Sequence, residues 1–369
     1  MRVLQVITKG EVGGAQSHLL ALCRELARQG VTVRAAIGGS EPDAPLAEDL
    51  GPICGPVHRI AALGNSWHPS KVISATYLLF RLVRQESPDL LHAHSAMAGV
   101  VARLAGALAG VPVIYTVHGF AFKPENAWQS RVAAFPIEWL LAPLTSQMIC
   151  VSEHERQLAL KLPLRAHRVT VVSNGIPDVD TAHISAATDP ATIVMVARMA
   201  SPKRPDLLLE AAARLRQRMG AETPVLFLGS GPDLTRHREL AARLGLQAVR
   251  FAGDLRDVPS ELRRHAILVL MSDHEGLPMS LIEGMRAGMA IVASDLPGIR
   301  ELLPDAGQAR LVASDAESLA LALRPLLESQ ELRVRMGTAA RRRYEQRYTA
   351  ARMEQAVQSV YAAALSRAA

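Results

Sequence analysis

The sequence of 369 residues has few cysteines, few aromatic residues and few lysines. Its three cysteines, Cys23, Cys54 and Cys150, stand far apart and form no CxxC pair, which argues against both a thiolate zinc site and a disulfide framework. Free thiols are typical of proteins from a reducing compartment. Aromatic residues make up 4% of the chain and are not interleaved with basic residues, so we expect no base-stacking surface for nucleic acid.

Long hydrophobic runs are also missing. A membrane-spanning helix needs about 20 apolar residues, and the best candidate segment, residues 132–144, is interrupted by Pro136, Glu138 and Pro143. The apolar run near the N-terminus is too short for a signal peptide. The sequence therefore predicts a cytoplasmic protein, and attachment to the inner face of the cell membrane stays open.

The charge balance is basic and is carried by arginine. Lysine accounts for only five of the 41 basic residues, and the formal net charge is +6. A basic surface attracts phosphates, nucleic acid or anionic lipid, and charge alone does not choose between them. Residues 156–168 mix cations with leucines and could rest on an anionic membrane, although a solvated loop and helix edge is the preferred interpretation.

The order of apolar runs and glycine turns predicts an α/β fold. Val3–Ile7 reads as a strand, Gly13-Gly14 as a turn, the following leucine-rich segment as a helix and Val31–Ile37 as the next strand. Strands without alternating polarity indicate parallel sheets buried on both faces. The pattern restarts after residues 178–190, which predicts two doubly wound domains with a linker near 175–190. Further strands are predicted at 90–92, 113–117, 148–151 and 169–172, then at 193–196, 225–228, 249–251, 266–270 and 290–293.

Two of the predicted strand ends carry groups suited to phosphate. Gly13-Gly14 lets the backbone approach a ligand at a helix N-terminus, although a tight turn alone would also require glycine. Arg198 and Lys203 follow the first strand of the second series, where two cations can converge on one diphosphate. Solvated surface is the alternative for these two side chains.

A pair of glutamates stands at another predicted strand–helix junction. Glu275 lies in the loop, and Glu283 lies inside a helix predicted over 278–287 with Pro278 at its first position. A carboxylate accepts two hydrogen bonds at once and so suits neighbouring sugar hydroxyls. A favourable interaction with the helix dipole would explain Glu275, but not a glutamate in an apolar helix interior.

Histidines gather near predicted strand ends. The spacing of His92 and His94 could serve a metal, but no third ligand is near in sequence, so a structural role or a substrate contact is expected. His118 directly follows a strand, where function and packing are equally plausible. Gly229-Ser230-Gly231-Pro232 matches half of a dinucleotide fingerprint, but the third glycine position holds Leu234, which weakens a dehydrogenase interpretation.

Taken in order, these motifs point to a family. The sequence resembles the retaining glycosyltransferases of family 4, which have the GT-B fold of two Rossmann-like domains, and in particular those of bacterial cell-surface polysaccharide synthesis. The resemblance extends over nearly the whole chain. It rests on Gly13-Gly14-Ala15-Gln16, Thr116-Val117-His118-Gly119, Val172-Ser173-Asn174-Gly175-Ile176, Arg198 with Lys203, Phe251-Ala252-Gly253, and the pair Glu275 and Glu283.

The resemblance implies an acceptor-binding domain at 1–175, a nucleotide-sugar-binding domain at 176–345, and a final helix at 346–369 that crosses back to the first domain. The two domains would face each other across a cleft. The implied catalytic residues are His118, Arg198, Lys203 and Glu275, and His94 is the predicted acceptor contact. The implied donor-binding residues are Gly14, Gly253, Asp254, Leu255, Leu277, Met279, Ser280 and Glu283.

The implied reaction moves a sugar, with retention, from a nucleoside-diphosphate sugar to a glycan or polyprenyl-linked glycan. UDP is the favoured nucleotide, and neither a metal nor a cofactor is expected. A nucleotide-sugar epimerase or a phosphorylase of the same architecture is an alternative. A non-catalytic scaffold subunit of a polysaccharide-assembly complex is another, although such a subunit is expected to lack the donor-site residues.

Overall fold

The computed structural model describes residues 1–11, 13–39, 45–123, 128–179, 191–255 and 257–366. The chain forms two compact units. Unit 1 comprises Met1–Pro177 together with Ala350–Ala369, and unit 2 comprises Asp178–Thr349. Most of the linker predicted near 175–190 lies outside the described residues.

Unit 1 contains a parallel sheet of seven strands in its described part, in the order β3-β2-β1-β4-β5-β6-β7. Strand β1 pairs with both β2 and β4, so the direction of winding changes between β1 and β4. The strands are β1 (Arg2–Ile7), β2 (Thr32–Gly38), β3 (His58–Ile60), β4 (Leu90–Ala93), β5 (Val113–Val117), β6 (Gln147–Cys150) and β7 (Val169–Val171).

Helices cover both faces of this sheet, because its strands are apolar on both sides. One core cluster joins the sheet to α1, α2 and α14, and the other joins it to α3, α4, α5 and α6. These helices are α1 (Gly14–Arg28), α2 (Pro45–Cys54), α3 (Pro69–Glu86), α4 (Ala96–Ala109), α5 (Trp128–Leu141), α6 (Glu153–Ala159) and α14 (Ala350–Leu365).

The C-terminal helix α14 is part of the core of unit 1. Tyr361 is fully buried, and its hydroxyl lies 3.1 Å from Gln5 Nε2 and 2.7 Å from His92 Nδ1. Val357 and Met353 are buried in the same cluster as Leu22 of α1. The helix predicted at 346–369 therefore spans Ala350–Leu365 and packs on the first sheet.

Unit 2 contains a parallel sheet of six strands in its described part, in the order β10-β9-β8-β11-β12-β13. The strands are β8 (Ile193–Val196), β9 (Val225–Leu228), β10 (Val249–Gly253), β11 (Ile267–Leu270), β12 (Ala290–Ser294) and β13 (Ala309–Val312). The helices are α7 (Pro205–Met219), α8 (Leu234–Arg243), α9 (Val258–Leu262), α10 (Met279–Arg286), α11 (Pro297–Leu302), α12 (Ala316–Glu328) and α13 (Gln330–Arg347).

Both units are parallel α/β structures of the doubly wound kind, which confirms the predicted fold class. One detail of the prediction was wrong. Pro278 is the residue before α10, with φ of −70° and ψ of 120°, so the helix begins at Met279. A proline ring fits an extended position directly before a helix as well as it fits the first turn.

Candidate active site

The candidate residues of unit 2 lie where its strands end. Parallel strands place all their carboxyl ends at one edge of the sheet, and ligands bind where the winding direction changes. That change occurs between β8 and β11. Arg198 and Lys203 follow β8, and Glu275 follows β11, so the fold brings the two predicted segments to the same crevice.

The loops after β8 and β11 are bound to each other. Arg204 donates its backbone N–H to the carbonyl of Met271 at 3.0 Å, and Asp273 donates to the carbonyl of Pro202 at 2.9 Å. At this junction Lys203 Nζ contacts Glu275 Oε1 as an ion pair, and both side chains are mostly buried. The structure therefore brings together two predicted catalytic residues that are 72 positions apart in sequence.

Arg198 is different. Its side chain is exposed at the end of β8, and no ion pair to it exists within the described ranges. An exposed guanidinium with its donors available can bind an incoming anion in a bidentate manner. Of the two cations predicted at this strand end, Lys203 is thus paired with a carboxylate and Arg198 is open to a ligand.

The N-terminus of α10 adds backbone donors. Pro278 makes no side-chain cap, so the first N–H groups of the helix can bind an anion. Met279, Ser280 and Glu283 are the half-buried residues of this helix, and the positions between and after them are buried. Burial raises the pKa of Glu283, an effect that the nearby Arg286 guanidinium opposes. One face of α10 therefore offers anion donors at its start and a carboxylate one turn later.

The end of β10 contributes the predicted base-side residues. Gly253 has a positive φ of 71°, which favours glycine. Asp254 accepts a hydrogen bond from the backbone N–H of Ser230 at 2.9 Å, and its other oxygen contacts the Ser230 hydroxyl. Leu255 is exposed beside them. Asp254 therefore fixes the loop after β9, and Leu255 presents an apolar side chain at this edge.

That loop is a part of the site that the sequence interpretation missed. A Cβ atom on Gly229 would lie 2.2 Å from the carbonyl oxygen of Ala197, and one on Gly231 would lie 2.5 Å from that of Met199. Both glycines are thus required for the loop to pack against the segment that carries Arg198. The signal was the Gly-Ser-Gly-Pro sequence itself, which suggested a dinucleotide fingerprint although the glycines serve close backbone packing.

Gly298, at the start of α11, allows the loop after β11 to pack closely in the same way. The sequence interpretation missed this glycine as well. A Cβ there would lie 1.9 Å from the carbonyl oxygen of Gly276 and 3.0 Å from that of Glu275. Leu277, which belongs to the same loop, is buried. The backbone of Glu275 is therefore positioned by a glycine contact that no local sequence pattern reveals.

In unit 1, three histidines meet at the corresponding sheet edge. His18 of α1 and His94 are buried, and His118 is half-buried. Their nearest ring nitrogens all lie within 4.8 Å of one another. His94 Nδ1 and His118 Nε2 are buried without a hydrogen-bond partner in the described part of the chain. The sequence interpretation missed His18, which is distant in sequence and joins His94 and His118 as the third histidine of the cluster.

A hydrogen bond to Gln5 determines which ring nitrogen of His94 carries the proton. Its Nε2 lies 2.7 Å from the amide oxygen of Gln5, so that nitrogen carries the proton. Burial, together with the neighbouring histidines, lowers the pKa of His94, so the ring is neutral. The Nδ1 lone pair therefore faces the cluster as a hydrogen-bond acceptor. His92, by contrast, uses both nitrogens, on Tyr361 and on Thr116 at 2.6 Å, and has a structural role.

The three ring nitrogens, which lie within 4.8 Å of one another, could hold a metal ion. Zinc–nitrogen bonds are about 2.0–2.1 Å, so the rings would have to move slightly closer together to bind zinc. The same nitrogens can also form hydrogen bonds with the hydroxyl groups of a bound molecule.

The cluster makes the stability of unit 1 depend on pH. Burial lowers the pKa of His18 to about 4, an effect that the nearby Asn174 opposes. Between pH 6.5 and 4 the unfolded chain binds a proton at His18 that the folded chain does not, so stability is complete above pH 6.5 and falls as the pH is lowered. We expect the free energy of unfolding to be about 2 kcal/mol smaller at pH 5 than at pH 8 from His18 alone.

Urea denaturation at the two pH values measures this difference. Tryptophan fluorescence reports unit 1 alone, because Trp67, Trp128 and Trp139 all lie there. His18→Asn should reduce the difference in stability between the two pH values by about 2 kcal/mol, whereas His68→Asn, at an exposed position, should leave it unchanged. Equal stability of the wild type at pH 5 and pH 8 would contradict the prediction.

The N-terminus of α1 completes the edge of unit 1. Gly13 precedes the helix in an extended conformation and has no side chain with which to cap it. Gly14 is exposed at its first position. The two glycines therefore leave the first N–H groups of a 15-residue helix accessible, as an anion site requires.

The basic stretch at 156–168 differs from a membrane-facing segment. Leu158 and Leu162 are buried in the core of unit 1, and Arg156 pairs with Glu153 at 2.8 Å. The apolar side chains of the 156–168 stretch thus face inward. No helix in the described ranges has the length and the apolar character needed to cross a membrane.

Known proteins are similar to this chain in sequence and in fold. A family model described as Glycosyltransferase Family 4 matches residues 12–179, and one described as Glycosyl transferases group 1 matches residues 180–343. The chain is 26% identical over 237 residues to the UDP-Gal:alpha-D-GlcNAc-diphosphoundecaprenol alpha-1,3-galactosyltransferase of Escherichia coli, an alignment that covers 60% of this chain and 61% of that enzyme. It is 28% identical over 358 residues to a D-inositol 3-phosphate glycosyltransferase of Geodermatophilus obscurus, covering 88% and 79%.

The fold has a solved counterpart. The crystal structure of Anabaena HepE in complex with UDP-glucose superposes with a TM-score of 0.82 at 20% identity, over 98% of this chain and 99% of that one. At this identity the likeness is one of fold. Together the matched family models and the two parallel-sheet units show that this chain belongs to the family 4 glycosyltransferases of the GT-B fold.

Proposed function

We propose that this glycosyltransferase moves a sugar from a UDP-sugar to a polyprenyl-diphosphate-linked glycan, with retention of anomeric configuration and without a metal ion. The observation that carries the proposal is the Lys203–Glu275 ion pair at the point where the winding of the unit 2 sheet changes direction. It places a cation for a diphosphate beside a carboxylate for sugar hydroxyls. HepE, whose crystal structure contains UDP-glucose, supports the choice of donor.

In this proposal unit 2 binds the donor. Lys203 and Arg198 neutralise the diphosphate, and the uncapped N-terminus of α10, at Met279 and Ser280, donates backbone hydrogen bonds to it. Glu283 accepts from the ribose hydroxyls, and Glu275 accepts from the sugar. Gly253, Asp254 and Leu255 form the base side, and the backbone N–H of Leu277 joins those of α10 at the diphosphate.

Unit 1 binds the acceptor. The lone pair of His94 Nδ1 accepts a hydrogen bond from an acceptor hydroxyl, and His18 holds a neighbouring hydroxyl. The E. coli relative, whose name specifies a diphosphoundecaprenol-linked acceptor, supports the acceptor class. That His118 and Gly14 reach the donor remains a prediction. The kinetics of His118→Asn, measured with the donor as the varied substrate, would test the His118 contact.

The chemistry is stabilisation of a departing diphosphate. Charge develops on the diphosphate as the anomeric carbon becomes cationic, so fixed cations and N–H groups aimed at it lower the barrier. The acceptor hydroxyl attacks from the side that the diphosphate leaves, and a diphosphate oxygen takes its proton. Glu275 is engaged with Lys203, and this route needs no covalent enzyme intermediate.

A thermal-shift panel of UDP-, GDP- and ADP-sugars tests the donor. The bound donor should raise the melting temperature by mass action, and UDP-sugars should do so at the lowest concentration. The preferred donor is then incubated with a polyprenyl-diphosphate-linked sugar in the presence of EDTA. We expect release of UDP and a glycoside whose anomeric configuration, read by NMR, equals that of the donor. Loss of turnover in EDTA would contradict the metal-free part of the proposal. A product whose anomeric configuration is inverted would contradict the retaining part.

A further inference from the structure

Helix α5 presents an apolar stripe to solvent. Trp128, Val132, Phe135, Trp139 and Leu140 are all exposed, and Leu140 and Trp128 retain 67% and 65% of their accessible surface. The spacings of four, three and four residues place Trp128, Val132, Phe135 and Trp139 along one side of the helix, and Leu140 lies about 100° further round it. We call these five residues the α5 stripe. Contiguous apolar surface of this kind is uncommon on a protein that has no partner.

The opposite side of α5 is fixed to the body of unit 1. Glu138 is buried and pairs with the fully buried Arg103 of α4 at 2.9 Å, and Ala134 is buried in the same core. Arg103 also donates to the carbonyl of Gly99 and lies over the Tyr115 ring. Because this ion pair holds the inward face, the helix cannot turn to bury its apolar stripe, and the exposure is a property of the folded unit.

The α5 stripe is rich in tryptophan compared with the rest of the chain. The chain has three tryptophans and only 4% aromatic residues. All three tryptophans are exposed, and two of them, Trp128 and Trp139, lie on the stripe. Tryptophan concentrates at the boundary between lipid and water, because its ring is apolar and its N–H is polar.

Cations border the stripe. A groove of about 560 Å³ beside it is lined by Trp128, Phe135 and Leu158 together with Arg131 and Lys161. Arg131 and Lys161 are exposed, and Glu138, the single acid in the sequence of α5, is neutralised by Arg103. An apolar surface with a positive border complements anionic lipid, whereas two copies stacked through this face would bring like charges together.

We propose that the α5 stripe docks unit 1 onto an anionic lipid bilayer, with Trp128, Val132 and Trp139 in the interfacial layer and Arg131 and Lys161 on the headgroups. The proposal extends the lipid-linked acceptor class of the proposed function. It places the apolar part of the membrane contact on α5 rather than on the 156–168 stretch, whose leucines face inward, and keeps from that stretch the exposed Lys161. In chain order α5 is the helix that follows His118, so docking would hold the acceptor-binding unit at the lipid surface.

Co-sedimentation with vesicles tests it without donor or acceptor, so its outcome is independent of the proposed activity. Wild-type protein should bind vesicles that contain 30% phosphatidylglycerol and should bind pure phosphatidylcholine at least tenfold more weakly. Binding should shift the tryptophan emission to shorter wavelength. The triple variant Trp128→Ser, Val132→Ser and Trp139→Ser should lower the partition coefficient at least tenfold. Arg131→Gln and Lys161→Gln should each lower it about fivefold at low salt.

Matched controls separate docking from general surface effects. Leu321→Ser, at an exposed position of unit 2, should bind vesicles like the wild type. Circular dichroism should show that the triple variant is folded, because its three positions are exposed. Unchanged vesicle binding by the triple variant would overturn the proposal. So would a wild-type dimer that the same variant dissociates in sedimentation velocity, because the stripe would then be a contact between copies.

Discussion

Replacing Lys203 by alanine should lower kcat/KM about 10³-fold while the protein stays folded. Lys203 lies at the strand end where the proposed diphosphate binds, and its loss removes a cation that interacts most strongly when the leaving group carries its full charge. Most of the loss should therefore appear in kcat rather than in KM. Release of UDP from the preferred donor, with a polyprenyl-diphosphate-linked sugar as acceptor, provides the measurement.

Two comparisons make this result specific. Arg264→Ala removes an exposed cation of the same unit, which pairs with Glu261 on the surface, and should keep activity within about twofold. Glu275→Ala should lose activity by orders of magnitude too, because it removes the proposed sugar contact and leaves Lys203 without its partner. Full turnover by purified Lys203→Ala would refute the proposed role of Lys203 in binding the diphosphate.

The largest loss of stability is expected at the buried pair of unit 1. Glu138→Leu leaves the Arg103 guanidinium buried without a countercharge, and breaking a buried ion pair in this way typically costs about 3–5 kcal/mol. Urea denaturation followed by tryptophan fluorescence measures the change in the free energy of unfolding. The emission should also change in the folded state, because Glu138 fixes the helix that carries Trp128 and Trp139.

The double variant Arg103→Met with Glu138→Leu should recover most of that loss, since it removes both buried charges and keeps the volume filled. A surface pair supplies the control. Glu153→Gln breaks a half-exposed pair with Arg156 in the same unit and should cost no more than about 1 kcal/mol. A cost below 1 kcal/mol for Glu138→Leu would refute the assigned role of the pair.

Much of the site could be predicted because its residues follow strands. A parallel strand that ends in a glycine or a cation is recognisable locally, and parallel pairing then places every such end on one edge. Arg198, Lys203 and Glu275 were found in this way, and Lys203 and Glu275 meet in the structure. The helix boundary at Pro278 was wrong by one residue, because local preferences do not separate the position before a helix from its first turn.

Other contributions have no local signature. His18 lies within an amphipathic helix, where a histidine is typical of either face, and only the packing of α1 on the sheet brings it to His94 and His118. Gly298 acts through the carbonyl of Gly276 in another loop. Such residues are defined by contacts between distant segments, which sequence periodicity does not encode.

The sequence by itself determined the two parallel α/β units, the strand ends that carry the polar groups and the family to which the chain belongs, because these follow from apolar period, glycine turns and motif order. The tertiary structure alone decided which side of each helix is buried. The leucines of 156–168 face the core and the α5 stripe faces solvent, since the Arg103–Glu138 pair holds another side of that helix inward. Burial depends on what packs against a helix, and that partner is specified by the whole fold rather than by the segment.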